Sequence, residues 1–234
     1  MWSPHCTVRS ALFLKFSTDT SGFAAIKFPP QMPAIGITGG ISTGKSTFVE
    51  CLREVMPDAT FFDADEAAHA LLDRPEVQKQ IRREFSGQVF STAGDLNRAK
   101  VRAIVFADAT KKRVLEQILH PRIRRQWRTE AKGHRKSPRF FFADIPLLYE
   151  TGGEKLCDRV VVVACSEKVQ MERLRKRMAI TAAEAKQMMK SQMPLEEKIK
   201  RADHVVWNNS NRTALIEQAR FLVASWQGQT WTKK

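Results

Sequence analysis

No two of the four cysteines in this chain (Cys6, Cys51, Cys157, Cys165) are spaced as Cys-x-x-Cys. That leaves no redox pair or zinc knuckle to read and suits reduced, buried thiols of a cytosolic protein. The five histidines (His5, His69, His120, His134, His204) show no zinc-ligand spacing either. Apolar runs such as residues 160–165 are far too short to cross a membrane. An Asn-Lys-x-Asp guanine motif is lacking, which argues against a nucleotide-switch GTPase. The chain also has no internal repeat and no low-complexity tract. What is there is 234 residues, 43% of them hydrophobic. That is enough for one compact α/β domain with an inserted subdomain.

Acidic residues are scarce relative to basic ones, and the formal charge is +14. The excess is concentrated in residues 111–136, where ten Lys or Arg face only Glu116 and Glu130. Three readings stay open: a site for a polyanionic small molecule, a nucleic-acid contact, or a solvated helix surface. Residues 1–31 carry three basic residues and one acid, with no signal-peptide cleavage pattern. Pro29-Pro30 separates them from Met32, where the folded part is expected to begin.

Five strands are predicted, at 34–38, 60–62, 140–144, 159–165 and 204–207. Two of these runs, Phe140-Phe141-Phe142-Ala143 and Val160-Val161-Val162-Val163, are apolar at every position. Strands of that kind are buried on both faces, as in a parallel sheet covered by helices. A helix is expected from Thr47 to Met56. Ser166 should cap another running to Met178, and Thr181-Ala182-Ala183-Glu184 is a capping box. Pro194 suits the first turn of a short helix, and residues 212–226 form the last one. The second and third strands lie about seventy-five residues apart, far more than a crossover needs. Residues 64–136 therefore read as an inserted helical subdomain for the second substrate. Within it, His120-Pro121 reads as a helix break.

Residues 39–47 read Gly-Gly-Ile-Ser-Thr-Gly-Lys-Ser-Thr, with Gly39, Gly44, Lys45 and Ser46 filling the Gly-x-x-x-x-Gly-Lys-[Ser/Thr] pattern. A strand, a glycine-rich turn and a helix start gather backbone N–H groups and the positive end of a helix dipole around one point. Lys45 should reach the β- and γ-phosphates of a nucleotide, and the Ser46 hydroxyl should bind Mg²⁺. Phe62-Asp63-Ala64-Asp65 puts two carboxylates at the end of a strand, where ligands of open α/β sheets bind. In extended chain Asp63 and Asp65 project the same way. One suits Mg²⁺ through water and the other a proton from an attacking hydroxyl, while a helix N-cap competes for one of them. Asp144 ends an apolar strand in the manner of a Walker-B carboxylate. Arg173, Arg175, Lys176 and Arg177 crowd one helix end, either as a lid over a phosphoryl group or as a solvated basic face. His120 suits a substrate contact or a structural role about equally.

In sequence order, the phosphate loop, Asp63-Ala64-Asp65, Leu119-His120-Pro121, Asp144-Ile145-Pro146-Leu147-Leu148-Tyr149-Glu150, Gln192-Met193-Pro194-Leu195-Glu196-Glu197-Lys198 and Ala202-Asp203-His204-Val205-Val206-Trp207-Asn208-Asn209 resemble the dephospho-coenzyme A kinases. The resemblance covers about residues 32–226. It implies an α/β, three-layer P-loop kinase fold, with a five-stranded parallel sheet, an inserted helical substrate domain and a lid at about 173–193. The kinase domain would span 32–230. The implied reaction moves a phosphoryl group from ATP, with Mg²⁺, to the ribose 3′-hydroxyl of dephospho-CoA in the cytoplasm. Nucleic acid and membrane are not expected as partners.

Carried over by position, Asp65 is the base, and Lys45, Arg177 and Asp63 complete the catalytic set. Gly39, Gly40, Ile41, Ser42, Thr43, Gly44, Lys45, Ser46 and Thr47 bind the nucleotide, with Asn208 and Asn209 near its adenine. Thr38, Asp65, His120 and Leu147 meet dephospho-CoA, and Ser46 holds Mg²⁺ with Asp63 or Asp144 through water. The basic insertion would face the substrate's pyrophosphate. Two departures from the family pattern stand out. Ser42-Thr43 replaces the usual Gly-Ser and demands a φ that a Cβ tolerates at 42. Met178-Ala179 replaces a polar residue and a small turn residue after Arg177. The nearest rival reading is another small-molecule P-loop kinase, and a nucleic-acid-binding ATPase is a more distant one. A chain beginning at Met32 should melt at the temperature of the full chain and keep its activity, which a thermal scan and an activity assay would check.

Overall fold

The computed structural model describes residues 34–85, 87–135, 137 and 139–227. The expectations for residues 1–31, and the boundaries set at 32, 136 and 230, lie outside them. Five strands form one parallel sheet in the order β2-β3-β1-β4-β5. They are β1 (Ala34–Gly39), β2 (Thr60–Asp63), β3 (Phe141–Asp144), β4 (Arg159–Ala164) and β5 (His204–Trp207). Every residue of β1 and β3 is buried, as the unbroken apolar runs require of strands covered on both faces. The strand positions and the α/β class follow the reading of the sequence within a residue or two.

One face of the sheet is covered by α1 (Lys45–Val55) and α9 (Arg212–Gln227). Phe48 and Leu52 pack there with Leu215, Val223 and Trp226 over Ile35, Ile37 and Val163. The other face packs against α2 (Ala64–Leu72), α5 (Ala109–His134) and α8 (Leu195–Arg201). Between β2 and β3, α2 is followed by α3 (Pro75–Phe85), α4 (Arg98–Ala107) and then α5. These helices share a third apolar cluster around Val77, Ile81, Phe85 and Val101. The remaining helices, α6 (Glu167–Met178) and α7 (Ala182–Lys190), form a pair between β4 and α8.

The caps follow local chemistry. Ser166 caps α6 by accepting from the Val169 N–H, and Thr181 with Glu184 makes both bonds of a capping box on α7. Pro194 stands at the N-cap of α8, one residue before its expected place.

The helix break expected at His120-Pro121 does not occur. α5 runs through it for 26 residues. Pro121 still removes one ladder donor. However, Ile118 and Leu119 are buried in the helical cluster before it, and Trp127 and Ala131 are buried against the sheet after it. Burial on both sides of the proline outweighs one lost bond. The Arg122 guanidinium also donates to the Ile118 carbonyl at 2.6 Å, an added bond within the turn around the proline.

His204 opens β5 beneath α9, where the Trp226 indole N–H donates to its Nε2 at 3.2 Å. That bond requires the neutral ring. Burial holds the His204 pKa below its usual 6.5, with the neighbouring Asp203 acting in the opposite sense. A depressed pKa on a base means that the unfolded chain binds the proton first. Stability should therefore be complete above about pH 6.5 and fall as the pH drops below it. Urea midpoints at pH 7.5 and 5.5 should show this loss in the wild type, and His204→Gln should remove the part that His204 contributes.

Candidate active site

The phosphate loop leaves the C-terminal end of β1 and opens α1 through Gly44, whose φ is 91°. That left-handed turn and its surroundings admit only glycine, because a Cβ there would collide with the Asn208 amide nitrogen. A Cβ on Gly39 would lie 2.5 Å from the Val163 carbonyl oxygen. Ser42 also adopts the left-handed region, with φ 58°. This corrects the expectation that position 42 would take a φ comfortable for a Cβ. The serine carries strain of roughly 1–2 kcal/mol instead. Its hydroxyl is buried and has no hydrogen-bond partner.

Side chains from distant elements hold the loop. Thr43 is fully buried and its hydroxyl donates to the Gly40 carbonyl at 2.9 Å. The Thr43 carbonyl accepts from Asn208 Nδ2 at 2.9 Å and from Arg173 at 3.3 Å. Ile41 is bonded on one side by Gln170 and on the other by Gln192. Asn208, expected near an adenine, is thus a support of the loop, and it also lines a small cleft beside Gly44 with Thr47, Arg173 and Arg212. Asn209 accepts from the Ser166 N–H at 2.7 Å.

Three carboxylates converge beside the loop. Asp63 and Asp144 are paired in register across β2 and β3, and Asp65 follows one residue into α2. Asp63 and Asp65 do not share one extended strand, because the chain turns into the helix at Ala64. Asp63 is its N-cap, with Oδ1 accepting from the Asp65 N–H at 2.8 Å and the Glu66 N–H at 3.0 Å. The Asp144 carboxylate is buried and pairs with the Lys45 ammonium. Burial raises the Asp144 pKa, Lys45 counteracts that, and the Asp63 and Asp65 charges push it further up. Lys45 is therefore a largely covered partner of a buried acid.

Two cavities meet here. The first, of about 860 Å³, is bounded by the loop from Gly39 to Thr47 and by Arg173, Arg177 and Gln192. The second, of about 570 Å³, lies between α2 and α5 and has mostly apolar walls, including Leu115, Leu119 and Trp127. Asp65, Glu116, His120, Pro146, Leu147 and Glu150 border both. Thr38 faces neither. It is buried, and its hydroxyl donates to the Pro146 carbonyl at 2.9 Å.

No individual role is read from sequence for Gln170, Gln192, Glu150 or Lys198. Lys198 is fully buried, and its ammonium donates to the Gly39 carbonyl at 3.1 Å, the Pro146 carbonyl at 3.3 Å and Glu150 at 2.9 Å. Its signal lay in the pattern of α8, where position 198 falls on the buried face with Leu195 and Ile199.

The family model for dephospho-CoA kinase matches residues 33–214. The chain belongs to the dephospho-CoA kinase family. It is 42% identical over 203 residues to the dephospho-CoA kinase of Anaeromyxobacter dehalogenans, covering 84% of this chain and 93% of that one. With the dephospho-CoA kinase of Geobacillus kaustophilus it shares 37% identity over 195 residues, or 82% and 96% of the two chains. Among solved structures, the dephospho-CoA kinase from Campylobacter jejuni superposes with a TM-score of 0.64 at 26% identity, over 82% of this chain and 96% of that one. The chain is accordingly a kinase of coenzyme A synthesis, a phosphotransferase. Among the described residues, no helix is long and apolar enough to cross a membrane.

In a member of this family, Lys45→Met should cost more than activity. It leaves a buried carboxylate without its cation, and breaking one partner of such a pair costs roughly 3–5 kcal/mol. Adding Asp144→Asn should restore the urea midpoint, while turnover stays at least about 10²-fold down in both variants. A single variant as stable as the wild type would show that the Lys45–Asp144 pair contributes nothing to folding.

Proposed function

We propose that this chain transfers the γ-phosphoryl group of ATP to the ribose 3′-hydroxyl of dephospho-CoA, giving coenzyme A and ADP, in the cytoplasm. The observation that carries this reading is the junction of the two cavities at Asp65. A nucleotide cradled by the loop and an acceptor lying between α2 and α5 would meet there. The apolar second cavity suits a nucleobase and a thiol-bearing arm. Arg124 at its rim and Lys112 at the rim of the loop cavity supply charge for a pyrophosphate.

Each residue then has a task. The loop N–H groups and the Lys45 ammonium hold the β- and γ-phosphates. Asp65 accepts the hydroxyl proton, because the Asp63 carboxylate is engaged as the cap of α2 while Asp65 borders both cavities. Arg177 and Arg173 line the loop cavity from α6 and face the transferring group. Ser46 and Asp144 are the residues that would hold Mg²⁺, with Asp63 behind them. The fit is chemical: Mg²⁺ keeps most of its shell as phosphate oxygens and water. A cage of protein ligands is not needed, and the described residues contain no group of three or more His, Cys, Asp or Glu arranged as one. The ion supplies charge neutralisation on the phosphate oxygens.

The test is product analysis with ATP, Mg²⁺ and dephospho-CoA, locating the new phosphate by phosphorus NMR, beside adenosine, AMP and shikimate as other acceptors. Phosphate on the 3′-oxygen of dephospho-CoA is the expected result, and preference for another acceptor would overturn the reading. Asp65→Asn should lower kcat by about 10²-fold or more while either KM changes little. Greater damage from Asp63→Asn would exchange the roles of the two carboxylates.

A further inference from the structure

One residue of the phosphate loop, Ile41, is held through both of its flanking peptide units from both roots of the α6–α7 pair. Gln170 on α6 donates through Nε2 to the Ile41 carbonyl at 2.7 Å. The Ile41 N–H donates to Gln192 Oε1 at 3.0 Å, and Gln192 stands just beyond α7. Both bonds span more than a hundred residues of sequence. Gln170 is only 4% exposed, so its amide is committed to this contact. Each root has a second tie. Arg173, three residues after Gln170, donates to the Thr43 carbonyl at 3.3 Å, and the Met193 N–H donates to Glu150 at 3.0 Å.

Backbone groups of a tight turn are ordinarily satisfied by neighbours in sequence. Here they are satisfied by the two ends of one helical hairpin, whose first helix carries Arg173 and Arg177. We propose that Gln170 and Gln192 are positioning residues that pin this hairpin to the phosphate loop and so set the reach of both arginines over the phosphoryl group. The inference rests on the kinase reading above. The two amides have opposite duties. At Ile41, Gln192 serves as the acceptor and Gln170 as the donor. A glutamate can replace the first and cannot replace the second.

The experiment measures amide hydrogen exchange at Ile41 in the free protein, together with the ratio of ATP hydrolysed without acceptor to phosphoryl group transferred. Gln192→Leu should speed Ile41 exchange and raise the ratio by about threefold to tenfold, the range set by one hydrogen bond. Gln192→Glu should keep Ile41 protected and the ratio near that of the wild type, although its charge raises the KM for ATP. Gln170→Glu should behave like Gln192→Leu or worse. Wild-type exchange and ratio in Gln192→Leu would overturn the proposal, as would equal damage from Leu and Glu at position 192. The expected exchange pattern in a protein that transfers no phosphoryl group to dephospho-CoA would support the clamp and overturn the kinase reading.

Discussion

The buried ammonium of Lys198 is the point on which the site's geometry depends. A fully desolvated cation is tolerable only when several acceptors surround it, since each uncompensated buried charge costs several kcal/mol. Its acceptors come from the end of β1, from the turn after β3 and from Glu150. One charge thereby fixes where the phosphate loop starts, where the wall shared by the two cavities stands, and how α8 lies beneath both. The Pro146 carbonyl also accepts from Thr38, so the strand and the wall are tied twice. Replacing such a center with apolar side chains could preserve the fold, but it would release three elements that must stay in register for two substrates to meet.

Above this floor the electrostatics run in the opposite direction. Asp63, Asp65 and Asp144 bring negative charge to a loop whose ligand is itself anionic. The pKa of Asp144 is raised chiefly by its burial, Lys45 opposes that rise, and the crowding by Asp63 and Asp65 adds a smaller upward push. Cations complete the balance: Lys45 from the loop, Arg173 and Arg177 from α6, and Mg²⁺ in the proposed reaction. Of the positive charge on α5, Arg124 borders the cavity between α2 and α5, and Lys112 borders the loop cavity. Part of it is structural, because Arg124 donates to the Thr151 and Gly152 carbonyls at 3.3 and 3.4 Å, bracing the turn behind the cavity.

Much of this was legible in the residues. Strands apolar at every position could only be central, and the capping box at Thr181 is a local device that forms wherever it is placed. Hidden features were those decided by long-range packing. Pro121 reads as a break because local rules end a helix there, but apolar residues on both of its sides are buried in different clusters. Asp63 and Asp65 look equivalent two residues apart, and only the turn into α2 between them separates cap from cavity wall. Lys198 looks like one more surface lysine until α8 is set against the sheet. Thr38, Asn208 and Asn209, which the motifs assign to ligands, make bonds to the protein that no motif announces.

The strain at Ser42 follows from the same long-range ties. A left-handed serine persists only where its surroundings determine its backbone. Its neighbours on both sides are fixed: Ile41 by Gln170 and Gln192, and Thr43 by Asn208, Arg173 and its own hydroxyl on Gly40. With both flanking peptides held, residue 42 has little choice of φ whatever its side chain. Glycine would meet that demand without strain, and serine meets it because the clamps on either side are worth more than the roughly 1–2 kcal/mol the Cβ costs. Ala179 at the end of α6 is a second left-handed residue, with φ 53°. There the capping box on α7 begins only two residues later and directs the turn. Both strained residues stand where one rigid element hands the chain to another, so the position of each is set by the elements it joins and not by its own preference.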